Sequence, residues 1–309
     1  MNYFSILDST RTNSIDCRYY GLAFLYNQNG KIKGMHSDAK FYLRSMMKPI
    51  QASILDEQII KHFNFSDEEL AIMQASHAGE NIHTELIKSI LDKIGLRENS
   101  LLCPIIPPLN TKRVKEYSKI HNNCSGKHSM MLAYCVYNNL DTKTYTDFNH
   151  PVQLKIKENL LKYAETNDCI ATKDGCTVPI YGLKIDNIAK AFLNYYKDSS
   201  NNNLINAYRK NPYIVGGKDN IGTRTDTKIM ELNKNLISKV GAGGFIYVYN
   251  FQKDEILIVK MAQDNNLYRE IVTLEILYSL NWLNERYYDK NIYTEDNTPI
   301  GEYILNSWE

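Results

Sequence analysis

The chain has 309 residues, in which 36 Lys and Arg nearly balance 35 Asp and Glu, so no whole-molecule field gathers nucleic acid or an anionic membrane, and a small-molecule partner is expected. No apolar run approaches bilayer length and the opening residues carry neither a basic nor an apolar leader region, which reads as a cytoplasmic protein with no membrane contact. Six cysteines, at positions 17, 103, 124, 135, 169 and 176, are too few to staple a secreted scaffold of this size and are read as thiols or metal ligands.

Residues 17–26 are rich in apolar and aromatic side chains, Asn29-Gly30 supplies a turn signal, and residues 31–35 return, which predicts a β-hairpin. A helix is predicted from Ser45 through Ile50, Ile54, Leu55 and Ile59. Ser66 with Glu69 forms a capping box that opens a second helix, ending at Ser76-His77-Ala78-Gly79-Glu80. Helical spacing recurs over residues 86–94, stopped by Gly95, then from Cys124 through Tyr134, from Pro151 through Leu160 and over residues 188–196. Residues 103–108, 174–179 and 198–203 read as loops. Residues 245–251 and 256–261 form a second hairpin, and residues 267–282 a closing amphipathic helix.

This order places strands at both chain ends and helices between them. The fold class expected is α/β (α+β), an antiparallel sheet built from both ends with an inserted helical lobe and a cleft between the two. One domain is expected over residues 1–309, with a sheet lobe of about 1–60 and 210–309 and a helical lobe of about 61–209.

Ser45 and Lys48 stand three residues apart, so on a helix they share a face and can act as nucleophile and base. Pro49 is tolerated only in a first turn, which sets Ser45 at or beside the helix N-terminus, where free N–H groups and the helix dipole favour an oxyanion. The plainer reading is an N-cap serine and a solvated lysine. On residues alone Ser76 is a helix-ending polar residue, His77 a buried satisfied ring and Lys239 a lysine guarding a strand edge. Cys124, Lys127 and His128 lie within about one helical turn, with Asp174 and Cys176 in a distant loop; two thiolates and a nitrogen suit zinc, but buried structural cysteines have the same pattern.

Five segments, in order, resemble those of the zinc-containing L-asparaginases of the rhizobial type, the asparaginase II family. They are residues 44–51 (RSMMKPIQ), 76–80 (SHAGE), 124–128 (CSGKH), 174–176 (DGC) and 238–244 (SKVGAGG). That family is similar in fold to serine β-lactamases and penicillin-binding proteins, and Lys239-Val240-Gly241, expected just before a C-terminal strand, would take the place of their KTG triad. The resemblance implies a second couple, Ser76 with Lys239, beside Ser45 with Lys48. It implies Cys124, Lys127 and Cys176 as zinc ligands, with Asp174 and His128 beside them and His77 and Glu80 around the substrate; Arg44, adjacent to Ser45, is read either as the holder of a substrate carboxylate or as a surface arginine. It also implies a homodimer and hydrolysis of the side-chain amide of L-asparagine to L-aspartate and ammonia through an acyl-enzyme. Ser45, with Lys48 as base, is favoured as the attacking serine for its helix-end position, with Ser76 and Lys239 assisting proton transfer or acting as the primary pair.

For such chemistry a lysine must be neutral, which means lowering its pKa by about three units at a cost of roughly 4 kcal/mol. Burial, neighbouring lysines and a metal ion all push that way. The chain departs from the family at Thr177, where a glycine is expected, at Gly243, where an acid is usual, and at Ser129-Met130 in place of an Ala-Gly pair. These departures leave open another small amide, an acyltransferase handing the acyl group to an amine, or a non-catalytic zinc-binding module.

Overall fold

The computed structural model describes residues 2–308. Eight strands form one antiparallel sheet: β1 (Phe4–Arg11), β2 (Ser14–Asn27), β3 (Gly30–Gly34), and later in the chain β7 (Leu236–Gly241), β8 (Phe245–Asn250), β9 (Glu255–Met261), β10 (Asn291–Tyr293) and β11 (Pro299–Leu305), in the order β10-β11-β1-β2-β9-β8-β7 with β3 also on β2. A small second sheet, in the order β4-β6-β5, joins β4 (Lys40–Tyr42) to β5 (Ile170–Lys173) and β6 (Pro179–Lys184). The expected mixed α/β class, with a sheet drawn from both chain ends, is thus observed.

Eleven α-helices of the described residues complete the fold. In the first part of the chain they are α1 (Lys48–Ala52), α2 (Glu57–Phe63), α3 (Asp67–Met73), α4 (Asn81–Lys93), α5 (Ser125–Tyr137) and α6 (Pro151–Ala164). In the second they are α7 (Ile185–Lys197), α8 (Asn202–Lys210), α9 (Pro212–Val215), α10 (Thr225–Leu232) and α11 (Asn266–Ser279). No helix is long and apolar enough to cross a membrane among the described residues.

Every residue of β7 and β8 is buried because the sheet is covered on both faces. Phe192 and Tyr196 of α7 stack on Tyr247 and Tyr249, so odd-numbered residues of β8 face α7, and α11 packs on the same sheet. Lys239 opposes Tyr247 in the register, and side chains of directly opposed residues share a face, so Lys239 is turned towards the helical part of the molecule. One hydrophobic cluster runs from the sheet through α3, α5, α6 and α7.

Several local expectations are corrected. The helix drawn from Ser45 to Ile59 is three pieces: a 3-10 turn over Arg44–Met47, α1, and α2, whose N-cap Asp56 accepts from Ile59 N–H at 2.9 Å. Pro49 does sit in the first turn of α1. Lys239-Val240-Gly241 lies inside β7 and not ahead of it. Residues 198–203 are not a surface loop but a 3-10 turn running into α8, with Asn201 buried and bonded to the Tyr195 carbonyl at 3.1 Å. The closing helix is followed by β10 and β11, so strands end the chain. The loop expected over residues 174–179 joins β5, four exposed residues, to β6, which begins at Pro179 and is buried over all but its last residue, so that neither strand shows a two-residue alternation.

Candidate active site

Ser76 follows α3 by a short step, held by its own N–H on the Val215 carbonyl at 3.1 Å. Its hydroxyl lies between two lysines that come from opposite ends of the sequence. Lys48 Nζ is 3.0 Å and Lys239 Nζ 2.9 Å from Ser76 Oγ. All three residues are buried, Ser76 at 2% exposure and both lysines at 0%.

The remaining partners distinguish the two amines. Lys48 Nζ also reaches the carbonyls of Ala75 (2.5 Å) and Asn123 (3.0 Å). Two acceptors and one hydroxyl suit a neutral amine, whose two N–H groups serve the carbonyls while its lone pair accepts the Ser76 proton. Lys239 Nζ instead meets the Val240 carbonyl at 3.0 Å and the buried Asp226 carboxylate at 3.5 Å, besides Ser76. Those three acceptors suit an ammonium. The titration directions agree: burial holds Lys48 below an ordinary lysine, with Lys127 adding to the push while Cys124, Cys176 and Asp174 oppose it, whereas Lys239, lowered by burial and by Lys48 and Arg224, keeps a pKa of about 7 because Asp226 pulls the other way.

Ser45 stands apart from this hub. It is half-buried in the 3-10 turn, just after Arg44, whose φ of 49° lies in the left-handed region that costs a non-glycine residue about 1–2 kcal/mol. Its hydroxyl forms no hydrogen bond with a described residue, and Lys48, three residues on, is turned inward to Ser76. The expected Ser45–Lys48 couple is therefore not formed in this conformation; the short 3-10 turn and α1 aim Lys48 at the loop after α3.

His77 and Glu80 are structural in their contacts. His77 Nδ1 accepts from Gly79 N–H at 3.2 Å and Nε2 faces Ser125 Oγ at 3.0 Å, whose proton goes to the Ile120 carbonyl, so the ring is a neutral Nε2–H donor. Burial, with His83 stacked beside it, pushes its pKa well below the ordinary value. The Glu80 carboxylate is filled by Arg113 (3.1 Å), Asn110 (3.4 Å), Tyr213 hydroxyl (3.0 Å) and Lys218 N–H (3.2 Å), tying two loops to the start of α4.

A second cluster lies on the Asn123 side of Lys48. Gly126 in α5 passes so close to α3 that a Cβ there would sit 2.0 Å from the Ile72 carbonyl, and this contact sets Cys124 and Lys127 near Ser76. Cys124 and Cys176 are free and buried, close enough that each thiol shifts the titration of the other and that Lys127 and Cys176 shift each other. Hydrogen bonding from Cys124, with the Lys127 charge, takes Cys176 down to about 5, while that same contact and burial push Cys124 well up. Lys127 is opposed by burial yet raised above an ordinary lysine by Cys176, Cys124 and Asp174. Asp174 lies 3.8 Å from Lys127 and accepts from Arg44 Nε at 2.7 Å, so Arg44 is committed to this corner.

His128 points its Nδ1 at Tyr145 hydroxyl (2.7 Å) and leaves Nε2 buried without a partner. Thr177, the departure noted next to Cys176, holds φ at 79°, a backbone that glycine adopts freely and a β-branched residue does not. No group of three or more His, Cys, Asp and Glu side chains is arranged to hold a metal among the described residues; the cluster is two sulfurs and a lysine.

Asp226 was not singled out by the sequence. It lies in Thr225-Asp226-Thr227, a polar stretch with no spacing signal, and only the packing of α10 on β7 brings it to Lys239.

The sequence matches the family model described as L-asparaginase II over residues 7–303. No curated protein is significantly similar in sequence. Among solved structures, a β-lactamase from Mycobacterium bovis is similar at 12% identity over 84% of this chain and 94% of that one, with a TM-score of 0.42. A protein assigned as a β-lactamase from Bacteroides dorei is similar at 12% identity over 82% of this chain and 92% of that one, with a TM-score of 0.39.

Proposed function

We propose, from the premise that this chain belongs to the L-asparaginase II family, that it is an asparaginase-like amidohydrolase releasing ammonia from the side-chain amide of L-asparagine by serine–lysine chemistry. The observation that carries this reading is one hydroxyl, Ser76, bracketed at 3.0 and 2.9 Å by two buried lysines with different partners. Ser76 Oγ attacks the amide carbon as its proton passes to the neutral Lys48 amine, while the Lys239 ammonium, held by Asp226, steadies the negative charge that develops. Collapse breaks the C–N bond, Lys48 returns the proton to the leaving nitrogen, and ammonia departs. Water then adds to the acyl-serine with Lys48 again taking the proton, giving L-aspartate and the free hydroxyl.

A second reading has its own observation. Ser45 is half-buried where Ser76 is almost closed off, and it follows a residue in strained backbone. In that reading Ser45 attacks, Lys48 swings to it, and Ser76 relays the proton between the two lysines. Catalytic hydrogen bonds often tighten only when substrate is bound, so the free conformation is compatible with either order of events.

Zinc fits the thiol corner by its donor chemistry: two buried sulfurs and an amine close enough to shift one another's titration, supported by Asp174. Cys124, Lys127 and Cys176 would hold the ion, which when bound would supply a fixed positive charge that polarises a nearby substrate oxygen and favours neutral Lys48. The deciding experiment is ammonia release from L-asparagine and L-glutamine by metal-analysed protein, with and without amine acceptors, followed by mass spectrometry of the trapped acyl-peptide. Acyl on Ser76 supports the first order of events and acyl on Ser45 the second. No turnover of any amide tested, and no acyl on either serine, sinks both.

A further inference from the structure

Val240 alternates with Lys239 along β7 and so faces the other way, towards α11. There Val240, the first turns of α10 and α11 and the loop over residues 219–224 enclose a cavity of about 130 Å³. No residue of the Ser76 hub lines it.

Two arginines do. Arg269, with its side chain 4% exposed, gives Nη1 to the Gly241 carbonyl (3.3 Å) and Nη2 to Asn266 Oδ1 (2.7 Å), and its Nε is buried without a partner. Arg224, with its side chain 10% exposed, makes no side-chain hydrogen bond to any described residue. Its Nη1 stands 3.6 Å from Asp219 and its Nε, buried and unpartnered, 3.9 Å from Asp226. A guanidinium so enclosed and so poorly bonded is costly unless something else completes it. Lys228 adds a third cation, engaged with Glu270, whose other oxygen takes the Thr225 hydroxyl at 2.6 Å. The start of α11 adds backbone dipole of the same sign.

We propose that this cavity binds a small monocarboxylate, seated between Arg224 and Arg269 with its two oxygens on their free N–H groups. The charges favour a singly charged ligand over a phosphate: Asp219 and Glu270 lie in the lining, and Asp264 at 3.8 Å from Arg269 and Asp226 at 3.9 Å from Arg224 stand just behind it, so the site tolerates little negative charge beyond one. The volume accepts a ligand of a few heavy atoms, on the order of four waters displaced. The site reaches the hub by one route, Arg224 to Asp226 to Lys239, so its occupant would draw Arg224 off Asp226 and leave that carboxylate to Lys239.

The test is titration of the whole protein with sodium propionate at constant ionic strength, read by calorimetry, with sodium phosphate as the counter-probe. Saturable one-site binding with Kd below about 50 mM is expected, weakened about tenfold or more in Arg224→Gln and in Arg269→Gln, and tighter than phosphate. Because the buried Arg269 variant can fail to fold, a structure of the unaltered protein with propionate decides independently, by density between the two guanidinium groups. Absence of saturable binding, equal affinity in both variants, phosphate binding more tightly, or propionate seated elsewhere each overturns the proposal.

Discussion

The molecule buries three lysines within a small region and treats them in opposite ways. At the serine hub, Lys48 and Lys239 meet carbonyls, a hydroxyl and at most one carboxylate, and both are lowered. At the thiol corner, Lys127 is as deeply buried but faces Cys176, Cys124 and Asp174, and it is raised. Burial is the same; the neighbours decide whether the amine is a base or a counter-ion. Cys124, Cys176 and Asp174 act on Lys48 as well, but only Lys127 meets Cys176 and Asp174 directly, so a buried lysine signals proton transfer where no anion stands close enough to outweigh burial.

The largest break in this comparison comes from removing the hub's oxygen. Ser76→Ala should cut ammonia release about a thousand-fold or more while far-UV circular dichroism stays unchanged, because both amines lose the group they share. Lys48→Met should fall as far. Ser45→Ala separates the two orders of events: a loss limited to about tenfold assigns attack to Ser76, and a loss equal to that of Ser76→Ala assigns it to Ser45. At the thiol corner, elemental analysis should find about one zinc per chain, lost in Cys124→Ala or Cys176→Ala; a full zinc complement in both variants would take the metal away from these residues.

A smaller effect sharpens the hub itself. Asp226 is the group that holds the Lys239 pKa up, so Asp226→Asn must lower it. Whichever limb of the rate profile Lys239 governs, with a midpoint near pH 7 in the unaltered protein, should move to lower pH by about one unit. A limb that stays put would detach Lys239 from the rate.

Much of this comparison was legible in the chain, and the missing parts have identifiable causes. The SxxK spacing pointed to Lys48 as a local pattern, while Ser76 and Lys239 stood out only through the resemblance of SHAGE and SKVGAGG to the family's segments. The Ser76–Lys239 couple implied by the resemblance is found at 2.9 Å, but the partner of Lys48 was not legible: the choice of Ser76 over Ser45 depends on where a short 3-10 turn points a four-carbon side chain. Asp226 and Arg224 were invisible for a related reason, since α10 buries polar residues that by composition belong on a surface. In the fold, the hairpins with clear turn residues emerged correctly. β10, β11, β5 and β6 did not: β10 and β5 are three and four residues long, β11 is half-buried on both faces and β6 is buried on both, so in none does a two-residue alternation register. Thr177 shows the opposite case: a residue noticed only as a departure from a pattern coincides with a backbone angle that explains why glycine is the usual choice.

The subtlest expected effect tests the two kinds of lysine against each other through stability. Lys239 has a folded pKa of about 7 against 10.5 unfolded, so between those values the unfolded chain binds more protons and stability must rise with pH. Its contribution is complete above 10.5 and lost as pH falls through about 7. Lys127 is shifted the other way, so its contribution is complete below 10.5 and fades only above that value, leaving no slope between pH 7 and 9. Urea unfolding of metal-free protein across pH 7–9 should therefore show stability climbing by up to about 1.4 kcal/mol per pH unit for each lowered lysine, with Cys176, at about 5 against 9.0 unfolded, adding a slope of the same sign. Lys239→Met should flatten part of that climb, whereas Lys127→Met should leave the Lys239 share of the slope in place and act on the Cys176 share alone, by raising that thiol from about 5. Equal slopes in the two variants would mean that the neighbours do not set the protonation of these buried amines, and the distinction between base and counter-ion would fall with them.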